Sequence, residues 1–118
     1  MPQPNAFTAI WPPASDDDFA ALPEVREARR MFAEQMTCLG DLAGQARQSP
    51  TGGETHYLSQ EIAALLHNVS GTAAYFGSGE FGEFARRIEQ PVRLAFTADL
   101  LRPLCAQILE QLALDAQD

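Results

Sequence analysis

The apolar residues of this chain recur every three or four positions in four successive stretches. That spacing places them on one face of an α-helix, and no stretch shows the alternation of apolar and polar residues that is typical of a strand. The first stretch runs from Glu24 to about Arg47, and the last begins near Thr97 or Asp99 and continues to the C-terminus. The predicted core stripes contain Val25, Ala28, Phe32, Met36, Leu39, Ala43 and Ala46, then Leu58, Ile62, Leu65, Val69, Ala73 and Phe76, then Phe81, Phe84, Ala85 and Ile88, and finally Leu101, Leu104, Cys105, Ile108 and Leu112.

Short breaks separate the four helical patterns. Residues 49–53 contain proline and glycine, and Thr51 with Glu54 has the spacing of a capping box that opens the second helix. Ser78, between two glycines, is expected to cap the third helix, and Pro103 fits the first turn of the fourth. Four helices with short connections predict an all-α fold, an antiparallel four-helix bundle.

The N-terminus is expected to differ from the rest of the chain. Four of the eight prolines lie in its first thirteen residues, which excludes a regular helix or a central strand there. We therefore predict an extended arm over residues 1–14. Ser15, followed by three aspartates, predicts a short extra helix that reaches Leu22. The helical bundle is assigned to residues 15–118.

Composition narrows the classes of partner. The chain has 118 residues, of which 16 are acidic and 8 are basic, and its net charge is -8. This balance disfavours nucleic acid and anionic membranes as partners, because both are polyanions. No apolar run could span a bilayer, and no basic segment followed by an apolar one opens the sequence, so we expect a cytoplasmic protein. Cys38 and Cys105 are expected to act as small apolar residues in a reducing compartment.

Several kinds of site can be set aside. Gly77, Gly79 and Gly82 have the spacing of a dinucleotide fingerprint, but a helix precedes them where that fingerprint needs a strand. No phosphate-binding loop motif occurs, so no ATP site is expected. His56 and His67 lie 11 residues apart, about 16 Å along one helix, too far to share a metal ion. We expect no metal site and no cofactor.

His67 stands on an unusual helix face. It points roughly 140° away from the core stripe at about 100° per residue. Lysine and glutamate are typical of such a face, but the residues around His67 are mostly small, and interior Gly71 costs roughly 1 kcal/mol relative to alanine. The wheel alone is equally compatible with an ordinary surface histidine and with an approachable imidazole. The predicted binding face contains Gln60, Ala63, Ala64, Gly71 and Ala74.

The segment from His67 to Gly77 resembles the histidine-phosphotransfer domain family. The motif of that family is a histidine, any residue, a hydrophobic residue, a lysine and a glycine, followed by small residues and a glycine at the helix end. The matching positions are His67, Val69, Gly71, Ala73, Phe76 and Gly77. The similarity continues to about Glu89. It implies a four-helix bundle with a phosphorylated histidine, His67, exposed on the second helix of the bundle.

The resemblance also implies roles for other residues and shows one departure. Glu89 lies where chemotaxis-kinase members carry a glutamate that orients the histidine. Ser70 stands in place of the lysine, which is thought to lie beside the phosphoryl group. Arg86 and Arg87 are candidates for the missing cation, because a hairpin turning at Ser78 brings them roughly level with the histidine. Surface roles for both arginines are also compatible with the sequence.

Three functions follow from these observations. In the first, His67 is a phosphocarrier that accepts a phosphoryl group from a receiver aspartate and passes it to another, with Mg²⁺ expected on the partner receiver and no ATP site on this chain. In the second, the chain is an adaptor that binds a response regulator or histidine kinase and is never phosphorylated, which the missing lysine favours. The third, a dimerisation hairpin of a histidine kinase, is weaker because Asn68 stands where that motif has an acidic residue.

Overall fold

The computed structural model describes residues 22–48 and 52–117. The helices are α1 (Pro23–Gln48), α2 (Gly52–Thr72), α3 (Gly79–Arg93) and α4 (Ala98–Ala116), with a 3₁₀ turn at Ala73–Phe76 after α2. These residues include no strand, and the predicted all-α class with four bundled helices is confirmed. The predicted arm at 1–14, the short helix before Leu22 and the hydroxyl of Thr51 lie outside the described residues.

The helices pack around a single apolar core. The chain divides into two compact units after Met31, and the core lies in the second, Phe32–Asp118. The buried apolar residues are Phe32, Leu39, Ala43 and Ala46 on α1, Leu58, Ile62, Ala63, Leu66 and Val69 on α2, Ala73 after it, Phe81, Phe84, Ala85, Ile88 and Val92 on α3, Ala95 after it, and Leu101, Cys105 and Ile108 on α4. Most of the predicted stripe positions from Phe32 onward are therefore confirmed.

The buried stripe of α2 differs from the predicted one. Leu66 is fully buried, whereas Leu65 is only partly buried and packs at the edge of the core. The stripe is rotated towards Ser59 and Ala63 because α2 contacts both α3 and α4. The sequence pattern alone could not fix this rotation, since it depends on which side of the helix its neighbours cover.

The predicted cap at Ser78 and the predicted place of Pro103 in the first turn of the last helix are both wrong. Ser78 does occupy the N-cap position of α3, but its hydroxyl donates to Asp115 Oδ2 on α4 at 3.0 Å instead of capping its own helix. Pro103 lies in the second turn of α4, on its exposed side, where water can solvate the carbonyl that loses its helical donor. The predicted start of the last helix near Thr97 or Asp99 is confirmed, because α4 begins at Ala98 and the Thr97 side chain accepts from the Leu100 N–H at 3.3 Å.

The two cysteines differ in their burial. Cys105 is buried in the core, and burial raises the pKa of its thiol to about 11. Cys38 is exposed, so it does not act as the small apolar residue that the sequence predicted. Both cysteines are free thiols.

In the described part of the chain, no helix combines the length and the apolar character that a membrane crossing needs.

The α2–α3 hairpin determines the position of His67. Gly77 adopts a left-handed conformation with φ of 83° and ends the 3₁₀ turn. The register is antiparallel, with Gly82 against Ala73 and Glu89 against His67. A Cβ atom on Gly82 would lie 3.0 Å from the Ala73 Cβ, so a side chain at position 82 would push the two segments apart by a few tenths of an ångström.

Candidate functional site

His67 and Glu89 form the centre of the candidate site. His67 lies on the exposed side of α2, and 71% of its side chain is accessible to solvent. Its Nδ1 atom is 3.2 Å from Oε1 of Glu89, which projects from α3 and is 21% exposed. The structure thus brings together the histidine and the glutamate that the sequence analysis singled out.

Arg93 extends this cluster along α3. Its Nη2 atom donates to Oε2 of Glu89 at 2.9 Å, so the carboxylate lies between the guanidinium and the imidazole. Sequence analysis missed Arg93. A glutamate followed four residues later by an arginine on one helix is a recognisable ion-pair spacing, and it could have identified this contact.

The environment of Glu89 favours its ionised form. Partial burial of the carboxyl opposes ionisation, but the hydrogen bonds from Arg93 and His67, together with their charges, outweigh burial and lower the pKa of Glu89 below its ordinary value. An ionised carboxylate can only accept hydrogen bonds, so the proton in the contact lies on Nδ1 of His67. When the ring is neutral, Nε2 carries the lone pair, and no described residue forms a hydrogen bond with it.

Ser70 and Gly71 follow His67 on α2. The Ser70 hydroxyl donates to the backbone carbonyl of His67 at 2.8 Å, so it is bonded to its own helix. Gly71 is exposed, and a Cβ atom there would meet nothing within 4 Å. Packing among the described residues therefore does not explain the glycine.

The small-residue face is narrower than the sequence predicted. Ala64 and Ala74 are exposed together with Gly71, and we call these three residues the docking floor. Ala63 is fully buried, so its predicted place on this face is wrong: it lies on the side of α2 that the neighbouring helices cover. Gln60 is half-buried, and its Nε2 donates to the Arg93 carbonyl at 3.0 Å.

Arg86 and Arg87 are both exposed on α3. Arg86 forms an ion pair with Glu83 on the same helix, with Nη1 3.4 Å from Oε2. Among the described contacts, neither arginine forms a hydrogen bond with His67. The arginine that contacts Glu89 is Arg93. No cluster of His, Cys, Asp and Glu in the described ranges has a geometry that could hold a metal ion.

Comparison with known proteins gives one match. A family model described as the Hpt domain matches residues 27–118, which include most of α1, all of α2, α3 and α4, and the cluster of His67, Glu89 and Arg93. Searches of the curated proteins and of the solved structures returned no match.

Proposed function

Because the chain belongs to the Hpt domain family, whose members act as phosphotransfer domains in two-component signalling, we propose that His67 relays a phosphoryl group between the aspartates of receiver domains. The observation that carries this proposal is the 3.2 Å contact between Nδ1 of His67 and Oε1 of Glu89 on a largely exposed imidazole. The contact holds the ring in the tautomer whose Nε2 lone pair faces solvent.

The proposed transfer needs no proton movement. The Nε2 lone pair of His67 attacks the phosphorus of an aspartyl phosphate, and the N–P bond forms as the P–O bond breaks and its electrons leave with the aspartate carboxylate. The ring keeps its Nδ1 proton and becomes positively charged, and the Glu89 carboxylate stabilises that charge. In the second transfer an aspartate oxygen attacks the phosphorus, and the N–P electrons return to Nε2.

The docking floor supports the access that this reaction requires. The reacting nitrogen and phosphorus must approach to about 3–3.5 Å in a defined orientation. Ala64, Gly71 and Ala74 leave little bulk beside the ring, so a receiver surface can approach it closely. In this proposal the partner supplies the aspartate and the Mg²⁺ ion, and this chain supplies the nucleophile.

A second candidate function is a binding module that docks on a receiver or kinase without being phosphorylated. Ser70 favours it, since it replaces the cation of the family motif and its hydroxyl is already bonded to the His67 carbonyl. Such a module would use the same docking floor but not the Nε2 atom.

The experiment that tests the proposal is phosphoryl transfer from phosphorylated receivers. We expect a receiver from the same cell to label this protein at an acid-labile, base-stable site, and His67→Gln to abolish the label. His56→Gln is the matched control, because His56 is also exposed on α2 and lies away from the site. Label that persists in His67→Gln contradicts the assignment. Binding without label for every receiver tested supports the binding module.

A further inference from the structure

Arg93 has no role in the phosphotransfer proposed above, yet it contacts the glutamate that holds His67. Its Nη2 donates to Glu89 Oε2 at 2.9 Å, while Glu89 Oε1 lies 3.2 Å from the imidazole. The Arg93 side chain is 37% exposed. The pair therefore lies at the edge of the α2–α3 interface, where solvent screens it only in part.

The last turn of α3 is anchored on α2 by two side chains. Ser59 Oγ donates to the Val92 carbonyl at 2.7 Å, and Gln60 Nε2 donates to the Arg93 carbonyl at 3.0 Å. Carbonyls in the last turn of a helix lack the usual helical donors. Gln60 supplies a donor to the Arg93 carbonyl, and Ser59 adds one to the Val92 carbonyl, which also accepts from the Ala95 N–H at 3.0 Å. Buried Ser59 and half-buried Gln60 therefore hold the backbone of Val92 and Arg93 on the helix that carries His67.

The charge of the cluster also depends on Arg93. Ser70, at the position of the motif lysine, is uncharged and donates to its own helix. Arg86 forms its ion pair with Glu83. Among the described residues, Arg93 is the cation that hydrogen-bonds Glu89.

We propose that Arg93 is a positioning residue, which holds Glu89 in the side-chain conformation that meets Nδ1 of His67. A carboxylate in this conformation accepts from Nδ1–H and favours the tautomer in which Nε2 is unprotonated, whereas a carboxylate that turns away from the ring loses that preference. The purpose of this arrangement rests on the proposed function. The arrangement itself can be measured without any phosphoryl transfer.

The test is the tautomer of His67, measured from the ¹⁵N chemical shifts of its ring nitrogens at about pH 8.5, above the ordinary pKa of histidine. We expect Nδ1–H to predominate in the wild type and Arg93→Met to lower the ratio of Nδ1–H to Nε2–H roughly threefold, as for a partly exposed ion pair. Arg93→Lys keeps the charge and is expected to retain most of the wild-type ratio. Arg30→Met is the control, because it removes an arginine that pairs with a different glutamate, Glu27.

A wild-type ratio in Arg93→Met overturns the proposal, and so does an equal loss in Arg93→Met and Arg93→Lys, since the charge would then have no part in it. If circular dichroism shows that Arg93→Met unfolds, Arg93→Gln replaces it, with the same expected loss and the same contradicting result. The tautomer ratio does not depend on labelling at His67. Failure of the phosphotransfer proposal and failure of the Arg93 proposal are therefore distinguishable.

Discussion

Glu89 holds its two carboxylate oxygens against two partners, His67 and Arg93. Burial opposes its ionisation, but the hydrogen bonds and charges of the two partners dominate and place the pKa of Glu89 below the ordinary 4.5. A carboxyl whose pKa is lower in the folded than in the unfolded protein stabilises the fold above its unfolded pKa. This stabilisation is lost as the pH falls through the folded pKa.

We therefore expect Glu89→Gln to lower the free energy of unfolding by about 0.5–1 kcal/mol near pH 7, and to have little effect at a pH well below the folded pKa. Urea denaturation of wild type and variant across this pH range measures the difference. Glu110→Gln, at an exposed position on α4, is the control and should show no such pH-dependent loss. A loss of equal size at both ends of the range contradicts this account of Glu89.

Ser70 is the position at which a single substitution would restore the family motif. Its hydroxyl now bonds the His67 carbonyl at 2.8 Å, and it carries no charge for a phosphoryl group. We expect Ser70→Lys to raise the phosphorylated fraction at equilibrium about fivefold, or about 1 kcal/mol, because the added ammonium is exposed and screened by solvent. The measurement is the labelled fraction in equilibrium with a phosphorylated receiver, together with the lifetime of the phosphohistidine.

Thr72→Lys is the matched control, since it adds the same charge to an exposed position of α2 on another side of the helix. Arg86→Gln and Arg87→Gln address the arginines that the sequence analysis offered as replacements. A fall in the labelled fraction in either variant shows that α3 already supplies a cation. If all of these substitutions leave both the labelled fraction and the phosphohistidine lifetime unchanged, charge near the ring has no effect on the phosphorylated state.

At the scale of elements, the close approach of α3 to the end of α2 depends on Gly82. Alanine there would gain up to about 1 kcal/mol of helix propensity, but its Cβ would lie 3.0 Å from the Ala73 Cβ. A Cβ atom cannot rotate away, so the two backbones must separate. We expect Gly82→Ala to destabilise the fold by about 1–2 kcal/mol, which lies within the range of about 1–3 kcal/mol for overpacked interiors.

Chemical denaturation measures this effect. Gly44→Ala is the control, because a Cβ atom on Gly44 meets nothing within 4 Å and the substitution should leave stability equal or raise it by up to about 1 kcal/mol. An increase in stability for Gly82→Ala would show that the hairpin adjusts without cost. In that case the spacing of α2 and α3 is not what requires glycine.

The sequence predicts the elements well where local pattern determines them. The stripe from Phe32 to Ala46 and the placement of Glu89 opposite His67 both follow from helical periodicity and from one turn at Ser78. The sequence does not predict a contact that depends on the position of a neighbouring element. The hydroxyl of Ser78 had two possible partners, and only the position of Asp115 on α4 selects between them.

The candidate site, too, can be predicted from the sequence only where local pattern determines it. His67 could be identified from its place on the helical wheel and from the motif, because both are local properties. The burial of Ala63 depends on the side from which other helices approach α2, and no spacing within α2 encodes it. Arg93 has a spacing that suggests a pair with Glu89, but its relevance to His67 arises only once α3 lies against α2.

At the scale of the whole molecule, charge and shape act differently in partner recognition. The chain carries a net charge of -8, and a phosphoryl group on His67 would make it more negative. The docking floor itself is uncharged. We therefore expect close fit around His67, more than long-range electrostatic attraction, to determine how a receiver binds. Larger side chains on the docking floor test this expectation.

Ala64→Arg and Gly71→Gln each place a long side chain on the docking floor, where Ala64 is exposed and a Cβ atom on Gly71 would meet nothing within 4 Å. Both positions are exposed, so helix content and the cooperativity of melting should stay as in the wild type. We expect each variant to weaken receiver binding and slow phosphoryl transfer about tenfold or more, because the added bulk keeps Nε2 from the distance that the reaction needs. Titration with a fluorescent receiver and single-turnover labelling separate binding from transfer. Ala113→Arg makes the same exchange at an exposed position of α4 and should change neither. Wild-type binding and transfer in both floor variants would show that the receiver approaches His67 from another side.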